Sequence, residues 1–181
     1  MSVAPEEQVI LVDADDRPTG TMGKLEAHRR GALHRAFSVF GFDGLGRLLL
    51  QRRADAKYHS GGLWTNTCCS HPRPGEEIGA AARRRLREEM GLEFPITPAF
   101  TFLYQADFAN GLREHELDHV LFGRCDADPR PDPAEVAAWR YVALPELAAE
   151  VKSHPERFTA WLAICLPEVI RRRTETEGMG S

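Results

Sequence analysis

Short blocks in which apolar and polar positions alternate, or in which apolar residues run together, recur along the chain at QVILVD (8–13), HRAFSVFGF (34–42), RLLLQRR (47–53), AFTFLYQADF (99–108), EHELDHVLFGRC (114–125) and WRYVAL (139–144). Their length, two-residue period and content of β-branched and aromatic residues predict strands. Asp43-Gly44-Leu45-Gly46 is a turn signal that predicts a hairpin of the second and third blocks, and Asn110-Gly111 joins the fourth to the fifth. LWTNTCCSH (63–71), between the loops ADAKYHSGG and PRPG, reads as a further strand. Helical patterning marks 24–31, closed by Gly31, then 76–91, and two late helices near Pro145–Val151 and Glu156–Ile170. The first seven residues are expected to be flexible and the polar tail RRRTETEGMGS (171–181) disordered.

At 181 residues the chain is long enough for one well-buried core, so residues 8–170 are expected to form a single domain. Apolar residues at 43% and charged ones at 28% are ordinary globular usage, and runs such as Leu48–Leu50 are far too short to span a bilayer. The acidic start MSVAPEEQ lacks the order of a signal peptide, so a cytoplasmic protein without a membrane partner is expected. A formal net charge of −4 argues against a general nucleic-acid binder, and any phosphate site must be local. Cys68, Cys69, Cys125 and Cys165 form no CxxC pair, which fits reduced thiols.

The chemistry concentrates around the helix at 76–91. Arg84-Arg85-Leu86-Arg87-Glu88-Glu89-Met90-Gly91-Leu92 resembles the second half of a Nudix box, with Glu76 at its first glutamate, Ser70 where the opening glycine would stand, and Arg85 in place of a box glutamate. Those glutamates gather divalent metals on a diphosphate; a cation at 85 removes a ligand and adds a phosphate-binding group. Taken alone, such a run is an ordinary solvated helix face. Just before it, however, WTNTCCSHP closely resembles the active-site segment of type 1 isopentenyl-diphosphate isomerases. HRAFSVF, Arg52-Arg53, Glu114-His115-Glu116 and Trp161 continue that resemblance in order over roughly residues 8 to 170.

The resemblance implies a single-domain α/β (α+β) Nudix-like fold, a mixed sheet flanked by helices. It implies a metal site from His28, His34, His71, Glu114 and Glu116, a donor set that suits Zn2+ or Mn2+. Spacing adds that Glu114 and Glu116, two apart on a strand, point to one face. It implies a diphosphate site from Lys24, Arg53, Lys57 and Arg85, with Glu89 helping to hold Mg2+. Taken singly, a histidine or one Glu-x-Glu is an ordinary surface or core feature. His115 and His119 match no ligand and are read as bystanders, and Arg52 as an exposed strand residue.

The implied catalytic groups are Cys69 and Glu116, assisted by Tyr104, with Trp161 facing a carbocation-like state; Trp64, Tyr104 and Trp161 are expected to wall out water. Alternation puts Cys69 and His71 on one strand face and Cys68 on the other, so Cys68, like Cys125 and Cys165, is assigned to the core. The expected partner is a small isoprenoid diphosphate, and the chain is a monomer or homodimer. Two rival readings are a Nudix hydrolase acting on another diphosphate, which has no use for Cys69 and wants an acid at position 85, and a Nudix-like binding module with a structural metal.

Overall fold

The strand β3 (His34–Phe42) is buried along its length except at Arg35, which is what an apolar run without polar alternation requires of a strand covered on both faces. The computed structural model describes residues 7–178. The remaining strands are β1 (Gln8–Val12), β2 (Pro18–Gly23), β4 (Leu48–Arg53), β5 (Trp64–Thr65), β6 (Cys68–Ser70), β7 (Ile96–Asp107), β8 (Arg113–Arg124) and β9 (Val136–Val142). Four helices accompany them: α1 (Lys24–Arg30), α2 (Ile78–Met90), α3 (Leu144–Ser153) and α4 (Ala160–Gly178). All nine strands belong to one mixed sheet.

Side chains leaving the sheet alternately serve two layers. Phe40, Phe42, Leu48 and Leu50 pack with Leu147 of α3 and Leu162, Leu166 and Val169 of α4. Phe37, Val39 and Leu49 pack with Ala81, Ala82, Leu86 and Met90 of α2. Each fully buried leucine or phenylalanine contributes about 1.5–3 kcal/mol. Helix α2 ends at Gly91, whose left-handed φ of 61° lets its N–H reach Arg87 O at 3.1 Å; a Cβ there would meet Arg130 O at 2.5 Å.

The expected hairpin of β3 and β4 does not form as a ladder. Its turn is present, with Asp43 N–H donating to Arg47 O at 3.0 Å, but beyond it the strands pair only at Phe42 and Leu48. The WTNT segment wedges them apart. Thr67 Oγ1 accepts from Gly41 N and donates to Leu49 O, at 2.8 and 2.7 Å, and Asn66 Nδ2 donates to Val39 O at 3.1 Å. Instead β4 runs antiparallel to β9, while β3 runs parallel to β8 over nine register positions and antiparallel to β6. The same wedge breaks the strand expected over 63–71 into β5 and β6.

The hairpin of β7 and β8 around Asn110-Gly111 is as expected. Three further differences are local. The segment PTG, made of turn-forming residues, opens the strand β2, which pairs antiparallel with β1. The late helix expected from Glu156 is divided into a 3-10 turn at Pro155–Arg157 and α4. The tail expected to be disordered from 171 continues α4 as far as Gly178, supported by i, i+3 and i, i+4 pairs from Glu168 to Arg171 and Arg172. The flexible stretch expected at 1–7 lies, except for Glu7, outside the described residues. Among the described residues, no helix is long and apolar enough to cross a membrane.

Register delivers the site. Parallel pairing sets His34 beside Glu116, antiparallel pairing sets Tyr104 on the other flank of Glu116, and Ser38 faces Cys69. One row across three strands therefore reads Tyr104, Glu116, His34.

Candidate active site

Three imidazoles converge on one carboxylate oxygen. Glu116 Oε1 lies 2.9 Å from His71 Nε2, 3.3 Å from His34 Nε2 and 3.8 Å from His28 Nε2. All four side chains are buried, and His28 arrives from the last turn of α1. His34 Nδ1 lies 2.8 Å from the carbonyl of Ala32, which only accepts, so Nδ1 carries the proton and Nε2 presents its lone pair to the cluster. That Nε2 is 3.2 Å from His71 Nε2, and His28 Nε2 is buried with no hydrogen-bond partner. Converging nitrogen lone pairs and a carboxylate oxygen repel one another in the absence of a shared cation, and this donor set fits a divalent metal ion.

Glu114 adjoins this quartet without belonging to it. It falls in a second group with His28 and His59, its Oε1 3.3 Å from His59 Nε2. The predicted alternation of Glu114 and Glu116 is borne out in direction, because both reach the hydroxyl of Tyr104, at 2.9 and 2.6 Å. One phenolic hydrogen serves two carboxyls, so one of them holds a proton. Burial, with the neighbouring charge of Glu116, pushes Glu114 up, making it the protonated partner. Burial would raise Glu116 too, but the three imidazoles gathered on its Oε1, with His71 in hydrogen-bond contact, hold it well below the usual carboxylate range. Burial keeps His71 neutral, its pKa lowered to about 4.

Cys69 opens onto the same cavity, which is also lined by Glu116, Tyr104 and Trp161. Burial pushes its thiol up to about 12 against the pull of Arg53, so the resting group is a thiol. Cys68 points the other way and packs under α2, and Cys125 and Cys165 are likewise buried core residues. Trp161 donates its Nε1–H to Asn66 Oδ1 at 3.1 Å, and the guanidinium of Arg53 sits 5.4 Å from its ring centre, so the ring face already receives a cation. Trp64 is not part of that wall: it packs against the α3 and α4 layer with Arg140 over its ring.

Lys24, Arg53, Lys57, Arg85 and Glu89 line one side of this cavity. Lys24 pairs with Glu7 at 2.9 Å. Lys57 pairs with Glu135, and Arg85 Nη2 lies 2.6 Å from Glu89 and 3.4 Å from Glu135. Of the box acids only Glu89 reaches the cavity; Glu76 is taken up by Arg84, at 2.8 and 2.9 Å, and joins the PRPG loop to the helix. The bystander histidines lie apart, His115 on the carbonyl of Gly31 and His119 on Asp16. Arg52 is half-exposed near Asp55.

Four participants escaped sequence reasoning. Tyr58, whose hydroxyl is 3.0 Å from His28 Nδ1, and His59, stacked on Phe108, come from the loop between β4 and β5, where no periodicity points anywhere. Glu135 comes from the turn before β9. Asp118 was legible: it continues the two-residue period of Glu114 and Glu116 onto the same face, where Ser38 donates to it at 2.7 Å.

The chain matches the NUDIX domain family over residues 32–162. Isopentenyl-diphosphate Delta-isomerase 2 of Aromatoleum aromaticum is 58% identical to it over 153 residues, covering 84% of this chain and 81% of that one. Isopentenyl-diphosphate Delta-isomerase 1 of the same organism is 54% identical over 170 residues, 94% and 96% of the two chains. The isopentenyl-diphosphate Delta-isomerase of Burkholderia multivorans is 55% identical over 84% and 87%. Among solved structures, a Deinococcus radiodurans protein superposes with a TM-score of 0.76 over 90% of this chain and 98% of its own, at 21% identity. The MutT protein of Methanosarcina mazei does so at 0.63 over 77% and 94%, at 17% identity. At such identities the structural likeness speaks for the fold alone.

Proposed function

The chain belongs to the isopentenyl-diphosphate Delta-isomerase family, built on a NUDIX domain, and from that premise we propose how its cavity moves a double bond in isopentenyl diphosphate to give dimethylallyl diphosphate. The protein is an enzyme, and isomerisation rather than phosphate hydrolysis is its reaction. One observation carries the mechanistic reading: Cys69 and the hydrogen-bonded pair of Tyr104 and Glu116 line a single cavity together with four cations.

Moving the double bond inward adds a proton to the terminal carbon and removes one two carbons away, without redox change. An unactivated alkene is a weak base, so the acid must be held against it. In this reading the Glu116–Tyr104 pair and Cys69 face the flat hydrocarbon from opposite sides, one delivering the proton and the other taking one up. Exchanging these roles gives the reverse reaction. Trp161 offers its ring face to the developing tertiary cation, a contact worth about 2 kcal/mol when desolvated. Lys24, Arg53, Lys57 and Arg85 hold the diphosphate, the arginines as forks and the lysines as point charges.

Two ions fit this arrangement. His28, His34, His71 and Glu116, with Glu114 beside them, would hold zinc or manganese, which when bound supplies a fixed positive charge that orients Glu116 and tunes its acidity. Magnesium would accompany the diphosphate near Glu89. The site argues against the hydrolase reading at one residue: Arg85 puts a cation, engaged by Glu88 and Glu89, where metal-assisted hydrolysis wants a carboxylate.

The reading is tested by incubating the metal-loaded protein with isopentenyl diphosphate and separating the products. Dimethylallyl diphosphate is expected, and its formation should be lost in Cys69→Ala and in Glu116→Gln. Release of free phosphate in place of the isomer would overturn the proposal.

A further inference from the structure

The cations that line the cavity are not free charges. Lys24 is held by Glu7, Lys57 by Glu135, and Arg85 by Glu89 on one side and Glu135 on the other. Glu88 also touches Arg85, but it is solvent-exposed and shared with Arg84, so that pair cancels. Four cations against three carboxylates leave the cradle with one positive charge. A diphosphate monoester carries roughly three negative charges near neutral pH. Bare, it would leave this partly buried region with two surplus negative charges; with one divalent cation the balance closes.

Glu135 is the carboxylate best placed to enforce this. Unlike Glu89 it stands outside the helix, in the turn that leads into β9, and its backbone carbonyl accepts from Ala54 N at 2.9 Å, tying it to the loop that carries Lys57. Its side chain touches two of the four cations, and Lys24 acts on it from farther away. Burial alone would raise its pKa, but Lys57 and Arg85 lower it, so it is an ionised group facing the charges a diphosphate needs. That carboxylate is half-buried, so its repulsion of an incoming anion is screened less than that of a fully exposed one.

We propose that Glu135 makes the cradle selective for a diphosphate that arrives with a divalent cation: it occupies Lys57 and Arg85 in the free protein and opposes a bare anion there. The inference rests on reading this cavity side as the diphosphate site. It assigns Glu135 to specificity and gives it no part in proton transfer.

The test is calorimetric titration of the full-length, metal-loaded protein with inorganic diphosphate, with and without magnesium, for the natural chain, Glu135→Gln and Glu135→Asp. The natural chain should bind diphosphate weakly alone and much more tightly with magnesium. Glu135→Gln should bind bare diphosphate about tenfold more tightly, and the gain from adding magnesium should shrink by a similar factor. Glu135→Asp, which keeps the charge, should retain the magnesium dependence. An unchanged magnesium gain in Glu135→Gln, or weaker diphosphate binding by that variant in both conditions, would overturn the proposal. Because the probe is inorganic diphosphate, a protein that behaves as described but makes no isomer would sink the isomerase reading and leave this one standing. A protein that isomerises with no change in Glu135→Gln would do the opposite.

Discussion

The hydroxyl of Tyr104 lies 2.6 Å from Glu116 Oε2 while the other oxygen of the same carboxylate faces three imidazoles. In the proposed mechanism the two halves of Glu116 thus have different work: one would hold the metal ion, and the other accepts the hydrogen of a phenol. Tyr104→Phe removes the second and leaves the first. Turnover is expected to fall about a hundredfold or more, with metal content unchanged by elemental analysis. A loss of metal on this substitution would mean the tyrosine holds the ligands and not the proton.

The adjacent thiols should separate cleanly. Cys69→Ala is expected to abolish isomerisation with little effect on melting temperature, since Cys69 faces the cavity. Cys68→Ala leaves a void under α2 and should cost about 1 kcal/mol in denaturant unfolding while keeping activity. The reverse assignment of the two phenotypes would refute the strand-face argument.

His59 is expected to matter to the metal site although sequence reasoning passed it over. Its Nε2 meets Glu114 at 3.3 Å and its ring packs edge-on to His28. Removing such an outer partner typically costs 10- to 100-fold in metal affinity. Competition of His59→Ala with a chelator for zinc should show a loss of about that size. Affinity equal to that of the natural chain would mean that Glu114 needs no such support.

A pH dependence is expected far from the cavity, at the turn between β3 and β4. Asp43 accepts from the backbone of Leu45 and Arg47 and from the Arg47 guanidinium, at 3.0, 2.8 and 2.7 Å. Burial would raise its carboxyl, but these hydrogen bonds lower it below the usual 3.8. A depressed carboxylate stabilises the fold above its unfolded pKa, and that stability is lost as pH falls through the folded value. Asp43→Asn should therefore cost about 1 kcal/mol at pH 7, with a gap from the natural chain that closes as pH drops below about 4. A gap that persists unchanged at pH 3 would rule this account out.

Most strands and helices were legible, because each carries its own local period. What was not legible is pairing. The turn at Asp43–Gly46 reads correctly as a turn, but nothing local says that Thr67 will sit between the two strands it joins. That depends on a side chain some twenty positions on meeting two backbones at once. The site divides in the same way. Glu114, Glu116 and Asp118 share a face by a two-residue period, and Cys69 is separated from Cys68 by the same rule. Tyr58, His59 and Glu135 stand in turns and loops, where only the folded backbone determines which way a side chain points. Glu114 shows the limit from the other side: its face was predictable, but not that His59 and Tyr104 would hold it beside the group of His28, His34, His71 and Glu116.

As proposed, this cavity exchanges protons with an alkene and leaves the diphosphate intact. Incubation with isopentenyl diphosphate in deuterated water, followed by NMR, tests it directly. Dimethylallyl diphosphate with deuterium in the methyl group formed from the terminal carbon is expected, and no label in Glu116→Gln. Free phosphate without labelled isomer, or isomer whose new methyl carries no solvent deuterium, would contradict it.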